Sequence, residues 1–221
     1  MRRINKPHGV QKQAVIFDFD GTIADSLPAL VEVFEDLTGR TDHYTAEQID
    51  AFRALTIPEL MKELHVSMWR VPQLLLKGRK MLKAHMHGIA VHEGMTELVE
   101  ELHAKEVPLY VLSSNSTENV QMYLGWHKLS HCFAAVYGGA SLFTKARRIL
   151  QLVDNEQIDI ANSWYVGDET RDVIAARAVG LHIASVTWGL NARTALEQKE
   201  PDILADTPQD LLAALEHTWK K

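Results

Sequence analysis

The apolar run Ala14-Val15-Ile16-Phe17 is followed at once by Asp18-Phe19-Asp20-Gly21-Thr22, and this junction constrains the fold more than any other stretch. Consecutive apolar residues bounded by polar ones read as a strand covered on both faces, the pattern of the middle of a parallel sheet. Side chains alternate along a strand, so Asp18 and Asp20 leave its C-terminal end on the same side. Two carboxylates a few ångströms apart repel by about 4 kcal/mol at an effective dielectric of about 20. Unrelieved, that repulsion drives one of them to protonate. A divalent cation resolves the conflict, and hard oxygen donors suit magnesium. Gly21 permits a tight turn, and Thr22 brings a hydroxyl and a backbone N–H close to the metal. The segment suits magnesium-assisted phosphoryl transfer.

Beyond this turn the pattern is helical. Ser26 is placed to cap a helix through Leu37 that Gly39 ends. Thr45 with Gln48, and Thr56 with Glu59, have capping-box spacing. Pro72 suits the first turn of a further helix that stops near Gly88. From Glu93 the pattern becomes alternating: a helix over Met95 to Lys105, a strand from Leu109 to Ser113, a short helix after Thr117 and a strand over Ala134 to Tyr137. A helix from Lys145 to Val153, the strand Ser163 to Val166, a helix from Thr170 to Gly180 and the strand Leu181 to Val186 complete the series. Thr207 caps a closing helix through His217. Such alternation implies right-handed crossovers and a parallel sheet, with the helical block inserted after the first strand.

In an open parallel sheet, ligands bind at the carboxyl ends of the strands. Three more polar clusters fall at such ends. Ser113-Ser114-Asn115 offers hydroxyls and N–H groups at a helix N-terminus, an anion site or simply a cap. Lys145 opens a helix, where it opposes the helix dipole unless an anion lies near. Asp168 follows a buried strand within Gly167-Asp168-Glu169-Thr170-Arg171-Asp172, so a third carboxylate can join the first two. Asp172 lies one helical turn beyond it.

In this order the clusters resemble the haloacid dehalogenase superfamily, specifically its phosphatases with a helical cap. The four motifs match as Asp18 to Thr22, Ser114-Asn115, Lys145, and Gly167-Asp168 through Asp172. Thr187-Trp188-Gly189 looks like the phosphoglycolate-phosphatase-like branch. The resemblance implies an α/β fold, a Rossmann-like parallel-sheet core of residues 1–25 and 93–221 carrying an all-helical cap domain of residues 26–92. It implies a magnesium-dependent phosphatase of small phosphomonoesters, phosphoglycolate-like or sugar phosphates. Asp18 is then the nucleophile that forms an aspartyl-phosphate, and Asp20 the acid and base. Asp18 and Asp168 hold Mg2+ with the backbone carbonyl of Asp20. Gly21, Thr22, Ser114, Asn115 and Lys145 bind the substrate's phosphoryl group, and Asp172 orients a metal-bound water or Lys145. A sugar-phosphate mutase of the same superfamily and a non-catalytic, receiver-like phospho-binding protein are the alternatives. His92-Glu93-Gly94 stands where the family often has a proline-glycine pair, which bears on cap linkage. Met81, His85, Met86 and His87 crowd the cap, and His85, His87 and His92 read as surface or hinge histidines rather than zinc ligands.

The chain has 221 residues, 46% of them hydrophobic and 24% charged, enough for one large domain or a core with a small accessory domain. Its net charge of −6 argues against non-specific nucleic-acid binding. The single cysteine, Cys132, excludes an internal disulfide and suits a reducing compartment. With no apolar segment resembling a signal peptide before Ala14 and none of membrane-spanning length, the expectation is a cytoplasmic monomer or weak homodimer. Its partner would be a small phosphorylated metabolite, with no nucleic acid and no membrane.

Overall fold

The computed structural model describes residues 11–55, 57–70, 73, 77, 85–139 and 144–219. Six strands form one parallel sheet: β1 (Val15–Phe17), β2 (Leu109–Leu112), β3 (Phe133–Tyr137), β4 (Trp164–Gly167), β5 (His182–Val186) and β6 (Ile203–Ala205), in the order β3-β2-β1-β4-β5-β6. β1 lies between β2 and β4, with Ile16 opposite Tyr110 on one side and Tyr165 on the other. The strand order reverses at β1, the kind of switch point where open α/β sheets bind ligands.

Why β1 is apolar throughout is visible in the two cores. Val15 and Phe17 join Val111, Val166, Val186, Met95, Leu98, Val120 and Leu215 on one face. Ala14 and Ile16 join Tyr110, Tyr165, Ile183, Ile149, Leu152 and Val173 on the other. The helices that cover the first face are α4 (Met95–Ala104), α5 (Thr117–Trp126) and α9 (Pro208–Trp219), and those that cover the second are α6 (Lys145–Glu156) and α7 (Thr170–Val179). A short α8 (Arg193–Glu197) precedes β6. Phe17 meets Phe133 edge-on at 6.3 Å, tying β1 to β3 across β2.

Between β1 and α4 the described residues form α1 (Leu27–Thr38), α2 (Ala46–Arg53), α3 (Ile57–Glu63) and two short 3-10 turns, Met68–Arg70 and Met86–Gly88. The capping box of Thr45 and Gln48 is present at α2, with Oγ1 accepting from the Gln48 N–H at 3.3 Å. Gly39 ends α1 in the left-handed conformation, as expected of a C-terminal glycine. The expected cap at Ser26 is corrected: its backbone is already helical and its hydroxyl, buried, bonds nothing. The Ser26 N–H bonds Ala24 O at 2.8 Å, so the chain enters α1 from a tight turn rather than from an extended residue. The Thr56 capping box, the Pro72 helix start and Met81 lie outside the described residues. Elsewhere α6 runs one turn further than expected, to Glu156, and β4 takes in Gly167.

Two passes of chain join the insertion to the sheet. Ala24 pairs antiparallel with Val91, Asp25 N–H bonds Ala90 O at 2.9 Å, and His92 N–H bonds Ile23 O at 2.9 Å. Tyr123 closes the joint from α5 with its hydroxyl on Ala90 O at 2.7 Å.

Candidate active site

Each expected residue of the site is placed by the end of a strand or the start of a helix. Asp18 follows β1, and its Oδ1 accepts the Phe19 N–H at 2.7 Å. Phe19 O accepts the N–H groups of Thr22, Ile23 and Ala24, so the chain makes one helical turn and folds back. Gly21 sits in this turn at φ +77°, and a Cβ there would lie 2.2 Å from Asp168 Oδ2. Only glycine satisfies both demands.

Asp168 follows β4 and is fully buried. Its Oδ1 accepts the Thr22 hydroxyl at 2.8 Å and its Oδ2 the Leu190 N–H at 2.7 Å. Asp172, in the first turn of α7, turns back toward the helix start, with Oδ2 accepting the Glu169 N–H at 3.1 Å. Lys145, the first residue of α6, is 4% exposed and bridges Asp18 Oδ2 and Asp172 Oδ1. These are the anions that make a lysine tolerable in a first helical turn. The Tyr165 ring lies 5.3 Å from its ammonium.

The charges here are unequal in number, and the protonation equilibria show it. Burial works against the Lys145 charge, but Asp172 and Asp18 outweigh it and hold its pKa well above the ordinary value. Burial, then Glu169, Asp18 and Asp172, push Asp168 well above the carboxylate range, against the Leu190 N–H. Asp172 is raised to about 6, chiefly by burial, with Lys145 opposing. Asp20 is raised to about 7 by burial and by the charges of Asp18 and Glu169. Its Oδ1 is buried with no hydrogen-bond partner.

Carboxylate oxygens of Asp18, Asp168 and Asp172 all lie within 4.8 Å of one another, the one such group of metal-ligating side chains among the described residues. Asp20 contributes no carboxylate to it. Ser114 is half-buried just beyond β2. Asn115, expected to bind substrate, has its side chain engaged within the fold: Oδ1 accepts from Ser116 N and Asn119 Nδ2 at 2.9 Å, and Nδ2 faces Met86 Sδ at 3.8 Å. The three histidines are dispersed. His85 faces Glu32 at 4.0 Å, His87 lies against Trp126 and His92 stacks on Trp188.

Sequence reasoning missed the strap after β5. Trp188 Nε1 bonds Thr22 O at 3.1 Å, and Leu190 holds Asp168. A Cβ on Gly189 would lie 2.3 Å from Asp168 Oδ2 and 2.4 Å from Gly21 O. Thr187-Trp188-Gly189 is the available signal, but a tripeptide does not say which carboxylate it packs on. Gly189→Ala must displace backbone or a buried carboxylate, so we expect a loss of about 1–3 kcal/mol together with most of the activity. A thermal melt that matches wild type would contradict this close packing.

Residues 15–186, well over half of the chain, match the haloacid dehalogenase-like hydrolase family. The chain belongs to that family. It is 36% identical to a phosphoglycolate phosphatase of Synechococcus elongatus, over 92% of this chain and 97% of that one. It is 26% identical to a pyrophosphatase, PpaX, of Bacillus cereus, over 91% of this chain and 95% of that one. Among solved structures, a haloacid dehalogenase-like hydrolase of Streptococcus pneumoniae superposes with a TM-score of 0.75 at 24% identity, covering 92% of this chain and 98% of that one, a likeness of fold. The α/β fold with a helical insertion is thus that of the family, and the protein is a hydrolase of its phosphatase kind. No helix among the described residues is long and apolar enough to cross a membrane.

Proposed function

We propose that this haloacid dehalogenase-like phosphatase is magnesium-dependent and hydrolyses a small phosphomonoester, phosphoglycolate-like or a sugar phosphate, through an aspartyl-phosphate on Asp18. The observation that carries the reading is the lysine-bridged cluster of Asp18, Asp172 and Asp168 at the switch point of the sheet. The likeness to a phosphoglycolate phosphatase over nearly the whole chain supports the substrate class.

The donors fit magnesium. They are hard carboxylate oxygens, crowded and buried, and one lysine does not neutralise them. Asp18 and Asp168, with the Asp20 carbonyl, would hold the ion, which when bound supplies charge neutralisation for the phosphoryl oxygens. The chain's own groups do the rest. The Phe19 N–H and Lys145 fix the Asp18 carboxylate for in-line attack on phosphorus, splitting one hard displacement into two. Asp20, raised to about 7, holds a proton near neutral pH for the leaving alcohol, and the resulting carboxylate then accepts one from the attacking water. Lys145 and Ser114, with N–H groups of the turn after Asp18, take up charge on the transferring group, where most catalysis of this reaction resides. Asp172 and Thr22 act through others, on Lys145 and Asp168 respectively. In this reading residues 26–92 form a cap domain over a core of residues 1–25 and 93–221, and the cap reads the leaving group. Phosphate release from a panel of phosphorylated metabolites tests it. The expected result is magnesium-dependent hydrolysis with phosphoglycolate or a sugar phosphate among the best substrates, and full activity in excess EDTA would overturn the metal assignment.

A second consequence concerns stability. Asp20, Asp168 and Asp172 all have folded-state pKa values above the ordinary 3.8. Between that value and about 6 to 7 the folded chain binds protons that the unfolded chain has released. The metal-free protein should therefore lose stability as pH rises through this window. Added magnesium competes with those protons, so its stabilising effect should be greater at pH 8 than at pH 5. Thermal melts at both pH values, with and without the ion, check the sign.

A further inference from the structure

Arg53 ends α2 and is the only link, among the described residues, between the insertion's α2–α3 corner and the strap of residues 187–192 that is made through a charged side chain. Its Nε donates to Gly189 O at 3.0 Å and its Nη2 to Thr187 O at 2.9 Å. Asp50, one turn back, holds Nη1 at 3.1 Å. Three of the guanidinium's five N–H donors are thereby committed to the protein, one on each nitrogen.

The strap returns the contact. The last carbonyls of a helix lack intrahelical partners, and here the strap supplies those of Arg53 O and, just beyond the helix, Leu55 O. Ala192 N–H bonds Arg53 O at 2.8 Å. Asn191 Nδ2 bonds Arg53 O at 3.2 Å and Leu55 O at 3.4 Å. The Arg53 carbonyl at the end of α2 is thus bonded by strap residues, while Ala54 and Leu55 close the two carbonyls before it.

The same strap holds Asp168. The Gly189 carbonyl and the Leu190 N–H belong to one peptide unit, which is planar. Its oxygen accepts from Arg53 while its N–H donates to Asp168 Oδ2 at 2.7 Å. Rotation that frees one bond therefore misdirects the other, and a bonded carbonyl strengthens the opposite N–H as a donor. Asn191 adds a second tie: its N–H bonds Asp168 O at 3.3 Å, and its Oδ1 accepts the Thr170 N–H at 2.9 Å. With no Cβ at Gly189, the strap can lie directly on the Asp168 side chain.

We propose that Arg53 is a positioning residue that, through the Gly189–Leu190 peptide, couples seating of the helical insertion to the orientation of the Asp168 carboxylate. Lifting the insertion withdraws the guanidinium and frees the peptide to turn away from Asp168. A seated insertion and an ordered carboxylate accompany each other. The consequence for metal binding rests on the assignment of Asp168 as a magnesium ligand, whereas the coupling itself does not.

The test compares wild type with Arg53→Met, which keeps the bulk of the side chain and loses its donors, and Arg53→Lys, which keeps one donor. Arg53 is partly exposed at a helix end, and circular dichroism verifies the fold of each variant. Amide exchange is measured on the metal-free proteins, and magnesium affinity by titration calorimetry. In Arg53→Met, exchange at Leu190 and Ala192 should rise roughly 10-fold and magnesium affinity should fall roughly 10-fold, the scale of one charge-assisted hydrogen bond. Arg53→Lys should lie between. The reciprocal effect should also appear: magnesium should slow exchange along α2 in wild type and not in Arg53→Met. An Arg53 that serves only to hold α2 in place would alter exchange within α2 and leave Leu190 and magnesium affinity unchanged. That result would overturn the proposal. If wild type binds no magnesium, the metal assignment fails, and exchange at Leu190 alone still decides whether the coupling exists.

Discussion

Asp18→Asn should lower phosphatase turnover by roughly 10⁴-fold or more, the scale on which loss of a covalent nucleophile acts in other hydrolases. The amide keeps the size of the side chain, but it has one acceptor oxygen where the carboxylate accepts from both the Phe19 N–H and Lys145. It is a poor nucleophile, and it removes a negative charge from a site where Asp168 and Asp172 already repel Asp18. Lys145 keeps Asp172 as a partner, and relief of the carboxylate repulsion offsets the lost Lys145 pair in part, so the fold should survive with reduced metal-free stability. A substrate panel with an activated aryl phosphate distinguishes the mechanisms. A nucleophile is needed whatever the leaving group, so the activated ester should fail as completely as the natural one. Hydrolysis of that ester at the wild-type rate by Asp18→Asn would mean that water, not Asp18, attacks phosphorus.

Lys145→Met should be the most destabilising single change in the site. The ammonium is 4% exposed and bridges two carboxylates. Removing one partner of a buried ion pair typically costs about 3–5 kcal/mol, because the charges left behind are neither solvated nor paired. The loss should be largest above pH 7. On acidification Asp172, and with it Asp168, takes up a proton instead, and the variant recovers part of its stability. Activity should fall by about 10³-fold, since in the proposed mechanism the same ammonium takes up charge on the transferring phosphoryl group. Chemical denaturation at pH 5.5 and pH 8 separates the two effects. A pH-independent loss would show that Lys145 acts through packing rather than through charge.

The parts of this molecule that can be read from its sequence share one property: their signal is local. β1 is apolar at every position because both faces of the sheet are covered. Gly39, Gly180 and the Thr45 box mark helix ends by chemistry confined to a few residues. Asp18, Lys145, Asp168 and Asp172 sit at strand ends and helix starts, and the sheet brings those ends together. The features that are not legible depend on contacts that residue type and spacing do not specify. Ser26 has the right residue type for a cap, but the turn before it holds its backbone in the helical region. Asn115 stands beside Ser114 in sequence, yet Asn119 and Ser116 claim its side chain. The sequence puts Thr22 beside Asp20 but does not show that its hydroxyl bonds Asp168, 146 positions away. β6 and α8 are short and carry no strong periodicity. Arg53 looks like an ordinary charge at a helix end because its acceptors are carbonyls, which no sequence displays.

In the proposed mechanism the phosphoryl group passes through Asp18. Asp20→Asn, which should still form the covalent intermediate with a good leaving group but hydrolyse it slowly for want of a base, is mixed with an activated phosphomonoester and magnesium. The mixture is quenched in acid during turnover, and the peptides are mapped by mass spectrometry. Phosphate is expected on the peptide that contains Asp18, at Asp18 itself, and none when chelator replaces magnesium. Steady turnover by wild type with an unmodified Asp18 in both proteins would contradict it.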